Sequence, residues 1–141
     1  MRLALAAAVA VVATDLATKA TMTTPLWAQH HRDINAIISH VIVGVLMVAI
    51  AGLSRPRYLQ AAIAVTGAGA LANGIDLIVT GWSHNPFVIV THMDGPIYQR
   101  WAFNAADVAI TVGACVTWVG LVWWMLHPTR SPTITRSQHD A

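Results

Sequence analysis

The chain has 141 residues, of which 56% are hydrophobic and only 10% charged, with a formal net charge of +2. Soluble domains carry about 25% charged residues; a water-soluble fold of this composition would expose a large apolar surface, so the expected solvent is a bilayer. The basic residues are scattered along the chain, which excludes a nucleic-acid footprint. One cysteine, Cys115, excludes an intrachain disulfide and reads as a small packing residue inside its apolar run.

A membrane helix needs about 20 mostly apolar residues, and four windows meet that length. The first runs from about Leu3 to Met22. Arg2 and the run after it also fit a signal peptide, but the window continues through Asp15 and Lys19 with no small-x-small cleavage site, which favours a retained helix. A short polar connection, about 23–33, follows. Its His30, His31 and Asp33 read as solvated surface residues, since structural metal sites need three or four ligands; no metal or cofactor is expected. The second window runs from about Ile34 to Leu53 and contains His40, read as a hydrogen-bonded packing residue.

The third window runs from about Ala61 to Gly81. Its Gly67, Gly69, Ala70 and Ala72 allow another helix to approach closely. The next connection, about 82–101, holds Pro86, Gly95 and Pro96 and is too polar to span. The fourth window runs from about Ala102 to Leu126. The tail, 127–141, is polar and proline-containing and reads as disordered. Residues 1–126 thus form one all-α domain, a four-helix transmembrane bundle. Arg2, Arg55, Arg57, Arg130 and Arg136 fall on one side of it and Arg32 and Arg100 on the other, which places both termini in the cytoplasm. Trp82, Trp101, Trp123 and Trp124 lie near helix ends, as an aromatic belt requires.

Charges within spans cost roughly 2.5–3.5 kcal/mol each on insertion scales, so each needs a partner or a task. Asp15 and Lys19 are four apart and share a helix face, which suits a structural ion pair. Asn73 and Asp76 are three apart behind the small-residue run; a hydrogen-bonded packing knot and a catalytic pair are both open. Asn104 and Asp107 repeat that spacing at the outer end of the fourth window. Water can reach a carboxylate there, as acid/base chemistry needs, and a structural role is equally open. A transporter or channel has only these charges in its favour, with no repeat or broken helix.

Taken in order, the motifs Asp15-x-x-Thr18-Lys19, Asn73-x-x-Asp76 and Phe103-Asn104-x-Ala106-Asp107-x-Ala109-Ile110-x-x-Gly113 resemble those of signal peptidase II, the prolipoprotein signal peptidase. The last is long and specific. The resemblance implies four membrane helices, a bacterial-type inner-membrane location and cytoplasmic termini. It implies an aspartic endopeptidase that removes signal peptides from diacylglyceryl-modified prolipoproteins, with two carboxylates sharing a water. Asp107 takes the place of one catalytic carboxylate. The position expected for the other is Asn85, an amide, and Asp94 is the candidate substitute. Asn73 and Asn104 would orient the site, while Asp15, Lys19 and Asp76 would hold the bundle.

Further departures accompany Asn85. Leu77 stands where the family usually has an arginine. The connection between the first two helices is too short for the family's external β-cradle. His84 and His92 lie in the second external connection, where a histidine base would mean a new mechanism. Two outcomes are therefore expected: a divergent active peptidase, or an inactive member that binds a lipoprotein or membrane partner.

Overall fold

The computed structural model describes residues 2–54, 56–92 and 98–127. Four helices account for most of it: α1 (Arg2–Thr21), α2 (Ile34–Leu53), α3 (Arg57–Thr80) and α4 (Ala105–Leu126). Each is long and apolar enough to cross a membrane. The 24 residues of α3 rise about 36 Å at 1.5 Å per residue, enough for a hydrocarbon core of about 30 Å.

The helices are not equivalent. An 18-residue window of α3 is 72% buried, against 11–17% for the other three, so α3 is the hub and the others pack around it. Small residues make this possible. A Cβ on Gly67 would lie 2.8 Å from the Met47 Cβ and 2.9 Å from the Gly44 carbonyl of α2. A Cβ on Gly69 would lie 2.6 Å from the Ala106 carbonyl of α4. Helix association in lipid rests on such close packing, because lipid tails are as apolar as the side chains. The outward faces of α2 and α4 are correspondingly rich in exposed Ile, Val, Leu and Trp.

Local chemistry sets the helix ends. Asp33 is the N-cap of α2, its side chain accepting the Ala36 N–H at 2.9 Å; this is its role among the described residues. Gly81 closes α3 in the left-handed conformation (φ 75°), its N–H bonded to the Leu77 carbonyl. Asn104 opens α4 with a capping box closed by Asp107.

Two helix starts differ from the sequence expectation. α3 begins at Arg57, four residues before Ala61, because its first turn sits after Pro56 and carries Arg57, Tyr58 and Gln60, polar residues that a hydropathy window leaves out. α4 begins at Ala105 and not at Ala102, because Ala102 and Phe103 belong to a strand.

The α1–α2 and α3–α4 connections, expected as loops, both contain strands. After a 3₁₀ turn at Leu26–Ala28, β1 (Gln29–His31) pairs antiparallel with β2 (Trp82–His84), with His30 opposite Ser83. β3 (Phe87–His92) and β4 (Tyr98–Phe103) form an antiparallel hairpin with Ile89 opposite Trp101. The β-branched run Val88-Ile89-Val90-Thr91 favours a strand but is far shorter than the window that detects spans. Cys115, expected to pack inside, is exposed on the outer side of α4. Asp94 and the tail from residue 128 lie outside the described residues.

Candidate active site

The polar residues of α1, α3 and α4 meet near the C-terminal ends of α1 and α3 and the N-terminal end of α4, with Lys19 at their centre. Its ammonium lies 2.7 Å from Asp15 Oδ2 and 3.2 Å from Asp76 Oδ2, and donates to Asn73 Oδ1 at 3.1 Å. An ammonium has three protons to donate, and here three acceptors surround it. Lys19 and Asp76 side chains are only 6% exposed and Asp15 is fully buried. The four-residue pair read from the sequence is therefore one edge of a larger cluster. Asp15 also reaches α4: its Oδ1 accepts the Ala106 N–H at 2.9 Å across 91 residues of chain. That amide is one of the orphan donors of the first helical turn, at the positive end of the α4 dipole.

From Lys19 a hydrogen-bonded path leads to Asp107, and the donors along it fix the amide orientations. The Asp107 N–H can only donate, so the Asn104 oxygen it meets at 2.8 Å is Oδ1. Asn104 Nδ2 is then the donor, 2.9 Å from Asn73 Oδ1 and 2.9 Å from Asn85 Oδ1. Asn73 Nδ2 in turn donates to Asp107 Oδ1 at 2.9 Å. The second Asp107 oxygen accepts the Asn104 N–H at 3.2 Å. Asp107 thus has a donor on each oxygen, the arrangement that suits an ionised carboxylate. Asp107 also lines a cleft of about 230 Å³ with Phe103, Val108, Thr111 and Val112.

Asn85, the position expected to hold the second carboxylate, is buried in this network. With its Oδ1 taken by Asn104, its Nδ2 remains as a donor. The neighbouring residue goes elsewhere. Side chains of an extended chain alternate in direction, and His84 turns toward α3. Its ring Nδ1 lies 3.0 Å from Asp76 Oδ1, and its backbone N–H donates to Asp76 Oδ2 at 2.9 Å. Since a carboxylate oxygen accepts, Nδ1 carries the proton of that contact. His84 lines a second cleft, about 430 Å³, with Lys19, Asp76 and Thr80. It belongs to the α1–α3 side and not to the Asp107 cleft, so the alternative of a His84 base for Asp107 has no support in the geometry.

The structure therefore brings Asp107, Asn85, Asn73 and Asn104 into one group and joins it through Asn73 to Asp15, Lys19 and Asp76. Leu77, where an arginine was expected, is 2% exposed and packed inside. Sequence reading missed the Asp76–His84 contact and the Asp15–Ala106 contact. The first had a signal: Gly81 ends the helix, and two-residue alternation from Trp82 sends His84 and Asn85 to opposite sides.

A sequence model of signal peptidase (SPase) II matches residues 26–124, most of the chain. The chain belongs to the signal peptidase II family. A lipoprotein signal peptidase of Thermosynechococcus vestitus is 35% identical over 88 residues, which cover 62% of this chain and 49% of that protein. The chain thus matches over about half the length of this curated relative. A bacterial membrane enzyme solved in meso at 2.3 Å aligns with a TM-score of 0.65 at 20% identity, covering 93% of this chain and 94% of its own. Another, solved in meso at 1.9 Å, aligns with a TM-score of 0.60 at 23% identity over 86% and 94%. At these identities the likeness is one of fold, and that fold is a membrane-spanning four-helix bundle of the signal peptidase II type. Family membership makes the chain a lipoprotein signal peptidase-like membrane protein.

Proposed function

We propose that this protein holds the lipid-modified peptide segment of a diacylglyceryl prolipoprotein in front of Asp107, and that its site binds such a segment without cutting it at the family's rate. The observation that carries this reading is Asn85, buried and tied to Asn104 at 2.9 Å at the position where the family's second catalytic carboxylate is expected. A two-carboxylate hydrolysis needs one group to take a proton from water and another to donate to the scissile carbonyl, and the departing amine must receive a proton. Asn85 Nδ2 can donate a hydrogen bond but cannot exchange a proton near neutral pH. Loss of one acid/base partner costs typically 10²–10⁴-fold in rate. The groove and its orienting amides remain.

The test is cleavage of a diacylglyceryl prolipoprotein by the purified protein in lipid, beside Asn85→Asp and Asn85→Asp with Asp107→Asn. Unmodified protein is expected near background, and Asn85→Asp is expected to gain roughly 10²-fold or more. Adding Asp107→Asn should remove the gain. Efficient cleavage by the unmodified protein would overturn the binding reading.

One observation favours a second reading, an active aspartic endopeptidase. Asp107 accepts a hydrogen bond on each oxygen and lines a cleft, as a base for water would require. Asn85 Nδ2 or Asp94 would then act on the carbonyl. Cleavage lost on both Asp107→Asn and Asp94→Asn would establish it. In either reading both termini are cytoplasmic and the site faces the opposite surface of a bacterial-type inner membrane, because Arg2, Arg55, Arg57, Arg130 and Arg136 outnumber Arg32 and Arg100. Reporter fusions at each terminus test that orientation.

A further inference from the structure

The β3–β4 hairpin has two faces of different character. Cross-strand partners share a face, so Val88, Val90, Arg100 and Ala102 lie on one side. That side is tied to the α1–α2 connection, because the Arg100 guanidinium sits 5.6 Å from the centre of the Trp27 ring. The other side carries Phe87, Ile89, Thr91, Gln99, Trp101 and Phe103. None of these six is charged. Phe87 and Phe103 stack at the root, 5.6 Å apart. Above them Ile89 and Trp101 face each other and are 50% and 54% exposed.

We infer that this uncharged face rests in the bilayer interface, so that β3 and β4 lie on the membrane beside the Asp107 cleft and do not stand in water. Continuity argues for lipid as the occupant. Phe103 adjoins the cap of α4 and shares the Asp107 cleft with Val108 and Val112, which are 45% and 54% exposed on the spanning helix. The apolar surface of α4 thus continues onto the hairpin around the cleft in which Asp107 lies. Tryptophan suits the headgroup level, where its ring is half in an apolar medium and its N–H is wet. A second copy fits less well. The half-exposed side chains offer on the order of a few hundred Å², short of the roughly 800 Å² per partner that a stable interface buries.

Adjacent residues on opposite faces provide the test. Ile89→Cys and Val90→Cys, each with Cys115→Ser, are labelled with an environment-sensitive fluorophore and reconstituted in phosphatidylethanolamine–phosphatidylglycerol vesicles. The expected result is a blue-shifted Ile89 label, quenched several-fold more strongly by lipid nitroxides near the glycerol level than the Val90 label, which aqueous iodide quenches instead. Iodide quenching of both labels overturns the inference. Shielding of Ile89 from both quenchers that grows with the protein-to-lipid ratio overturns it in favour of self-association. Unlabelled protein gives an independent reading. Trp101→Tyr should remove a measurable part of the quenching by brominated lipid, and no change would also refute the inference.

Discussion

Replacing Lys19 by methionine removes the cation from the centre of the buried cluster while keeping an unbranched side chain only one atom shorter. Three acceptors lose their common donor: Asp15 Oδ2 at 2.7 Å, Asn73 Oδ1 at 3.1 Å and Asp76 Oδ2 at 3.2 Å. Among the described residues Asp15 Oδ2 has only the ammonium as partner. Asp76 keeps its His84 contacts and Asn73 keeps Asn104, so the loss concentrates on Asp15. Stranding one charge of a buried pair costs about 3–5 kcal/mol. At 1.4 kcal/mol per tenfold, that is a shift toward the unfolded state of roughly 10²-fold to several thousand-fold. Unfolding equilibria in bicelles, followed by steric trapping, read this directly. Lys19→Arg keeps the charge and should lose much less. Lys19→Met combined with Asp15→Asn and Asp76→Asn should recover most of the loss, because no charge is then stranded. A Lys19→Met protein within about 1 kcal/mol of the unmodified one, the range of an exposed pair, would refute the claim that these charges form a desolvated cluster.

Gly69→Val should destabilise by about 1–3 kcal/mol through overpacking, since even its Cβ meets the Ala106 carbonyl at 2.6 Å. It should also spoil the Asn73–Asp107 contact one turn above. A lowered thermal midpoint, together with loss of the activity gained by Asn85→Asp, would show both effects. Gly74→Ala, whose nearest contact would be the tip of Val41 at 3.0 Å, should be milder in the same assay. His84→Ala removes one side-chain hydrogen bond to Asp76 and should cost about 0.5–1.5 kcal/mol. Because His84 stands beside Asn85 and outside the Asp107 cleft, its loss should leave the pH profile of the Asn85→Asp enzyme unchanged. A displaced profile would put His84 in the chemistry.

Features that depend on neighbours along the chain were legible from the sequence. A bilayer demands about 20 apolar residues per helix, and the four windows stand out for that reason. The Asp15–Lys19 pair and the proximity of Asn104 to Asp107 follow from four- and three-residue helical spacing, while the capping role of Asn104 does not. The family resemblance is what names Asp107, and Asn85 as an amide where a carboxylate is expected. The strands escaped because hydropathy averages over a span's length, and a six-residue run such as Phe87–His92 does not register in it.

Tertiary structure alone decided how the polar residues are shared. Nothing local says that Lys19 serves Asp76 and Asn73 as well as Asp15, or that Asp15 caps a helix 91 residues away. Those contacts exist because the glycines of α3 bring its neighbours within backbone contact, and in that low-dielectric interior every charge and amide must find a partner. The same packing, with the two-residue alternation after Gly81, separates His84 from Asn85 and ties Asn85 to Asn104, the cap that also holds Asp107.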